Sequence, residues 1–173
     1  MVRRARFIVS LVGAGVLLLA PAGGASASDG HNVSPVLLLP SFTDIPHASS
    51  TLVRDDDEGI AFSIHTRDLT PGAAATLVLV IFNNPAGCSH GDQVARCHEG
   101  DVVPGGPAQA SVVTVTTRTI GSSGRFSAHG QLEAGDTEHA LFGPGLTNTE
   151  GADVHLAISQ NGTFVQASVH EPN

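Results

Sequence analysis

The chain contains no Lys, Trp or Tyr, its one Met is the initiator, and it has only two Cys. Each absence removes a kind of chemistry. Without Lys there is no side-chain amine to form a Schiff base. With eight Arg against 16 Asp plus Glu, there is no basic face for a phosphate backbone, so nucleic acid is excluded as a partner. Without Trp or Tyr, a sugar-binding sandwich loses its usual stacking platforms, and most of the seven Phe fall at inward positions. Blue copper needs a free Cys between His ligands and usually an axial Met, which the chain past its first residue does not have. Long apolar runs are also scarce, the exception being at the start of the chain.

That exception reads as an export signal. Arg3, Arg4 and Arg6 precede an apolar stretch from Phe7 to Ala20, and Ala25-Ser26-Ala27 offers small residues for cleavage. Fourteen apolar residues broken by Pro21 fall short of the roughly 20 needed to span a bilayer, so a cleaved signal over 1–27 is expected rather than a membrane anchor. No Cys follows the apolar stretch, which argues against a lipid anchor. Cleavage removes three Arg and no acid, leaving 5 Arg against 16 Asp plus Glu, a formal charge of −11. Such a domain favours cationic partners. The expected location is extracellular, with an unidentified extracellular ligand or protein as partner.

Beyond the signal, 28–48 reads as a polar, Pro-bearing lead-in, and 49–173 reads as one all-β domain. Helical periodicity is nearly missing, and turn residues recur at short intervals. Ile60, Phe62 and Ile64 alternate with Ser63 and His65, the pattern of a half-buried strand, and the acidic run Asp55 to Glu58 makes a hairpin tip before it. Ala75 to Phe82 is apolar at nearly every position, which predicts a central strand buried on both faces. Asn161-Gly162 is a strong hairpin signal between two alternating segments. About seven or eight antiparallel strands are expected, as a β-sandwich or a barrel-like sandwich.

Two Cys in an exported chain point to a Cys88–Cys97 disulfide, worth roughly 2 to 3 kcal/mol for so short a loop. In and just after that loop lie His90, Asp92, His98, Glu99 and Asp101, among nine His in all. Imidazole with carboxylate is suitable ligation for Zn(II) or Cu(II). His90, His98 and Asp101, with His155 as an addition, are therefore the metal candidates, against the plainer reading of solvated loop residues. Asp55 to Glu58 lacks the twelve-residue spacing of a calcium loop. No Gly-x-Ser-x-Gly elbow is present, so no catalytic residue is assigned.

Leu69-Thr70-Pro71-Gly72, the run Val80 to Pro85 followed by Cys88, and Gly143 to Asn148 leading into Gly151 to Leu156 resemble a group of uncharacterised secreted bacterial β-rich proteins. The resemblance implies an all-β exported domain and no particular activity. The expected role is a non-enzymatic binding module without cofactor. Second comes a divalent metal-binding protein carrying Zn or Cu, and third a hydrolase with an unrecognised triad.

Overall fold

A computed structural model describes residues 30–55, 58–92 and 94–172, so the expected signal segment lies outside the described residues. Among the described residues nine strands form one antiparallel sheet that curls into a half-barrel. In chain order they are β1 (Gly30–Leu38), β2 (Thr43–Asp55), β3 (Gly59–Thr66), β4 (Ala74–Phe82), β5 (Ala110–Thr119), β6 (Phe126–Glu133), β7 (Ala140–Phe142), β8 (Asp153–Gln160) and β9 (Thr163–His170). Their order across the sheet is β6-β3-β2-β1-β9-β8-β4-β5-β7. No helix among the described residues is long and apolar enough to cross a membrane.

The segment expected as a polar lead-in carries β1 and the first part of β2. Pro35, which reads as a break, marks the point past which β1 gains a second partner. Up to Pro35, β1 pairs with β2; past an irregularity between Pro35 and Leu37, Leu37 and Leu38 also pair with β9. A residue without an N–H is tolerated where the ladder is already interrupted.

The alternation in β3 is as the sequence predicts, with Ile60, Phe62 and Ile64 buried. They meet Leu77, Leu79 and Ile81 of β4 and Val154, Leu156 and Ile158 of β8 in the concave core. β4 lies between β8 and β5, and its other face, Val78, Val80 and Phe82, is buried too. That convex face is covered by the loop between β4 and β5, whose Cys97 and Ala108 pack on it. Asn161 and Gly162 both take positive φ, 53° and 81°, as a tight turn between twisted strands requires.

The concave core has a polar edge. Gln166, Ser168 and His170 of β9 are fully buried and face β2 and β3. Thr66 Oγ1 donates to Gln166 Oε1 at 2.7 Å, and Gln166 Nε2 donates to the Arg67 carbonyl at 2.7 Å. Ser50 Oγ hydrogen-bonds Ser168 Oγ, and it lies 2.7 Å from His170 Nε2. These partners satisfy the buried polar groups apart from His170 Nδ1, which has no hydrogen-bond partner among the described residues.

Candidate functional site

The disulfide is present: Cys88 and Cys97 are bridged with Cα atoms 5.3 Å apart. The loop it closes is organised by Asp101, four residues past Cys97, whose side chain is 3% exposed. Its carboxylate accepts from Ser89 N–H at 2.8 Å, His90 Nδ1 at 2.9 Å, His98 N–H at 3.1 Å and, more weakly, His90 N–H and Ser89 Oγ–H at 3.3 Å. Burial alone raises a carboxyl, but these donors outweigh it and hold Asp101 far below the usual carboxylate range. Two glycines permit the tight packing. A Cβ on Gly91 would strike the Arg96 carbonyl, and one on Gly100 would come within 2.8 Å of the His90 ring.

A carboxylate can only accept, so His90 Nδ1 carries the proton and Nε2 is the atom left for a ligand. The His90 side chain is 58% exposed. The His98 ring turns the other way: its Nε2 lies 3.1 Å from Asp92 Oδ1 without the alignment of a hydrogen bond, and its ring meets Phe42 edge-on. Asp92 also accepts from the Val94 and Ala95 N–H groups, and the Val94 bond is the leading cause of its lowered pKa.

His155 stands apart from this loop cluster. It lies on β8 across from Val80, its ring meeting that of Phe82 edge to face at 5.3 Å between centroids. Its Nε2 is 3.1 Å from Oδ1 of Asp153, and among the described residues neither Asp153 oxygen nor His155 Nε2 has a hydrogen-bond partner, although Asp153 is fully buried. Arg54 supplies opposite charge nearby. Its guanidinium donates to the carbonyls of Thr149 at 2.8 Å and His170 at 2.9 Å. Burial lowers the Arg54 pKa and Asp153 pulls it back up. Burial also pushes His170 down to about 4, Arg54 and His155 adding to the shift and Asp153 opposing it.

The structure thus brings His90 and Asp101 together, contacts His98 only through its main chain at Asp101, and places His155 elsewhere. Among the described residues no group of three or more His, Cys, Asp or Glu is arranged to hold a metal ion. Asp101 is occupied as the loop's organiser, and three imidazole–carboxylate pairs, His90–Asp101, His98–Asp92 and His155–Asp153, take the place of one ligand set. Sequence reasoning missed Asp153 and Arg54. Asp-x-His on a strand puts both side chains on one face, which is the signal for the first; nothing local marks Arg54, which acts across 95 residues of chain.

Among the described residues, exposed serine–histidine contacts occur at His65–Ser127 and Ser89–His90, but in the latter Ser89 Oγ and Asp101 both meet the same His90 nitrogen, Nδ1, so no relay runs from hydroxyl through ring to carboxylate. Ser50 with His170 is sealed in the core at 1% and 0% exposure. A nucleophile there has no path to a substrate. On the convex surface, a shallow depression at the β2–β3 tip is rimmed by Asp55, Glu58, Gln131 and Glu133.

The chain matches no protein-family model and no curated protein sequence. Among solved structures it is similar to a double mutant of a SOD-like protein from Bacillus subtilis, with a TM-score of 0.37 and 16% identity over 81% of this chain and 95% of that one.

Proposed function

We propose that the protein is an exported, non-enzymatic binding module whose recognition element is the disulfide-closed loop between β4 and β5. The observation that carries this reading is Asp101. A buried carboxylate that accepts from Ser89, His90 and His98 fixes the loop's shape while the His90 ring stays exposed, a pre-organised surface rather than a reaction centre. The expected export segment, the disulfide and the acidic balance support an extracellular setting and a cationic partner. The test is a turnover screen of the purified protein against ester, peptide and glycoside substrates. No turnover is expected, and reproducible turnover that copurifies with the folded chain overturns the reading.

A second reading, a Zn(II)- or Cu(II)-binding protein, is favoured by one specific observation: the buried, unpartnered Asp153 oxygens and His155 Nε2. These are good donors for either ion, but two residues are fewer than a closed site uses. Calorimetric titration with each metal near neutral pH decides it. Stoichiometric uptake lost in His155→Ala supports the metal reading, and no heat ends it.

A further inference from the structure

We propose that the free edge of β6 pairs antiparallel with the β6 of a second copy, centred on His129, so that the protein forms a weak homodimer through a continuous sheet. The two margins of the sheet are treated differently. β7 is three residues long and runs directly into Gly143-Pro144, a short and blunted edge. β6 is eight residues long and pairs with β3 without irregularity, and it has neither Pro nor Lys nor a buried charge to discourage a partner.

The direction of its backbone groups can be read from its neighbours. Ala134 N–H points back to the Glu58 carbonyl on the β3 side, so the even-numbered residues of β6 face β3. Consistently, the carbonyls of Ser127 and Glu133 face away, the first accepting from Arg118 at 3.0 Å and the second from Asp136 N–H at 3.1 Å. The N–H of Ser127 and both main-chain groups of His129 and Gln131 therefore point off the sheet, where no backbone partner is present among the described residues.

A dyad at His129 satisfies that set. Ser127 then faces the partner's Gln131 and His129 faces the partner's His129, each pair outward-directed on both strands and able to exchange two hydrogen bonds. The Ser127 carbonyl has a second lone pair, so Arg118 need not be displaced. Buried Phe126 falls beside the partner's Leu132, which keeps the concave faces on one side. The same register places Arg125 opposite the partner's Glu133, and the reverse.

Charge selects this occupant. Arg125 and Glu133 are both exposed and have no ion pair among the described residues. Glu133 lies on the rim of the acidic depression with Asp55 and Glu58, so the partner's Arg125 enters a carboxylate-lined hollow. The net negative charge, −8 for the whole chain and −11 once 1–27 is removed, repels a second copy at long range, and an edge of this size buries less than the ~1,600 Å² of stable complexes. The dimer is accordingly reversible, and it tightens as moderate salt screens the net repulsion more than the close pairs.

The experiment is sedimentation equilibrium of the mature protein over a wide concentration range, with circular dichroism confirming that each variant is folded. A concentration-dependent dimer is expected for the wild type. Glu133→Arg and Arg125→Glu alone are each expected to weaken it about tenfold, and the double reversal to restore it. A monomer at every concentration overturns the proposal. So does a dimer indifferent to the single reversals, or one weakened by both that the double variant does not restore, since either places the contact elsewhere or in another register.

Discussion

Asp101 and Asp153 begin from the same position: side chains 3% and 0% exposed, each with an imidazole nitrogen about 3 Å from a carboxylate oxygen. Their surroundings then diverge. Asp101 sits at the end of a short 3₁₀ turn, Glu99–Asp101, just past the disulfide-closed loop, where main-chain N–H groups of Ser89 and His98 converge on it. Asp153 opens a strand whose own N–H and C=O belong to the ladder with β4, so no main-chain donor is left to turn toward its side chain. A loop can wrap a carboxylate, whereas a strand can only place it beside another strand's side chains. The first carboxylate therefore organises its segment; the second is balanced at a distance by Arg54 and is chemically the more available of the two.

The comparison is broken most forcefully at Asp101. Asp101→Asn keeps the size but loses the charge and one acceptor, leaving amides of Ser89, His90 and His98 short of partners. A loss of about 3 kcal/mol is expected, with Tm falling by roughly 10 °C. Urea unfolding gives the total, and amide exchange shows whether protection is lost first at Ser89, His90 and His98. Unchanged protection there means that the disulfide alone shapes the loop.

Acid separates the two regions next. His170, held to about 4, stays neutral in the fold while an unfolded His takes up a proton near 6.5. The unfolded state then binds more protons, so stability declines as pH drops below about 6.5, by roughly 1.4 kcal/mol per unit, and levels off below about 4 at a total near 3 kcal/mol. Asp101 acts in a lower window. Its contribution is present above the ordinary carboxylate range and is lost only as pH falls through and below it. Urea midpoints against pH are expected to show two limbs; His170→Gln removes the upper one and Asp101→Asn the lower. A single limb that survives His170→Gln assigns the upper window to another group.

Which of this was legible depended on how far apart the cooperating residues lie. The alternation at Ile60, Phe62 and Ile64, the apolar run of β4 and the Asn161-Gly162 turn are local patterns, and each produced the element expected. β1 was not legible, because Pro35 marks the gain of a second partner rather than an end, and partner choice is a long-range property. The short β7 carries too few residues for any period to show. Within the site, the disulfide and the proximity of His90 to Asp101 follow from a short loop. His98 turned to Asp92 instead, and His155 found Asp153 two residues away on its own strand face, so neighbours in sequence competed successfully with the convergence that a metal set requires.

The smallest effect is expected at Asp153, and its smallness is what distinguishes the two carboxylates. Because no hydrogen bond is lost, Asp153→Asn removes only the long-range attraction to Arg54 and the proximity to His155, against relief of a buried charge. Those contributions oppose each other, and the net change is expected to stay within about 1 kcal/mol, with stabilisation an acceptable outcome. Thermal unfolding of Asp153→Asn beside Asp101→Asn measures the contrast directly. A loss at Asp153 as large as that at Asp101 shows that donors reach the carboxylate after all and makes the two pairs equivalent. Repeating the scan with Zn(II) adds a second axis. If the metal raises the Tm of the wild type but not of Asp153→Asn, the unpartnered oxygens are ligands, and the strand carboxylate is the functional member of the comparison.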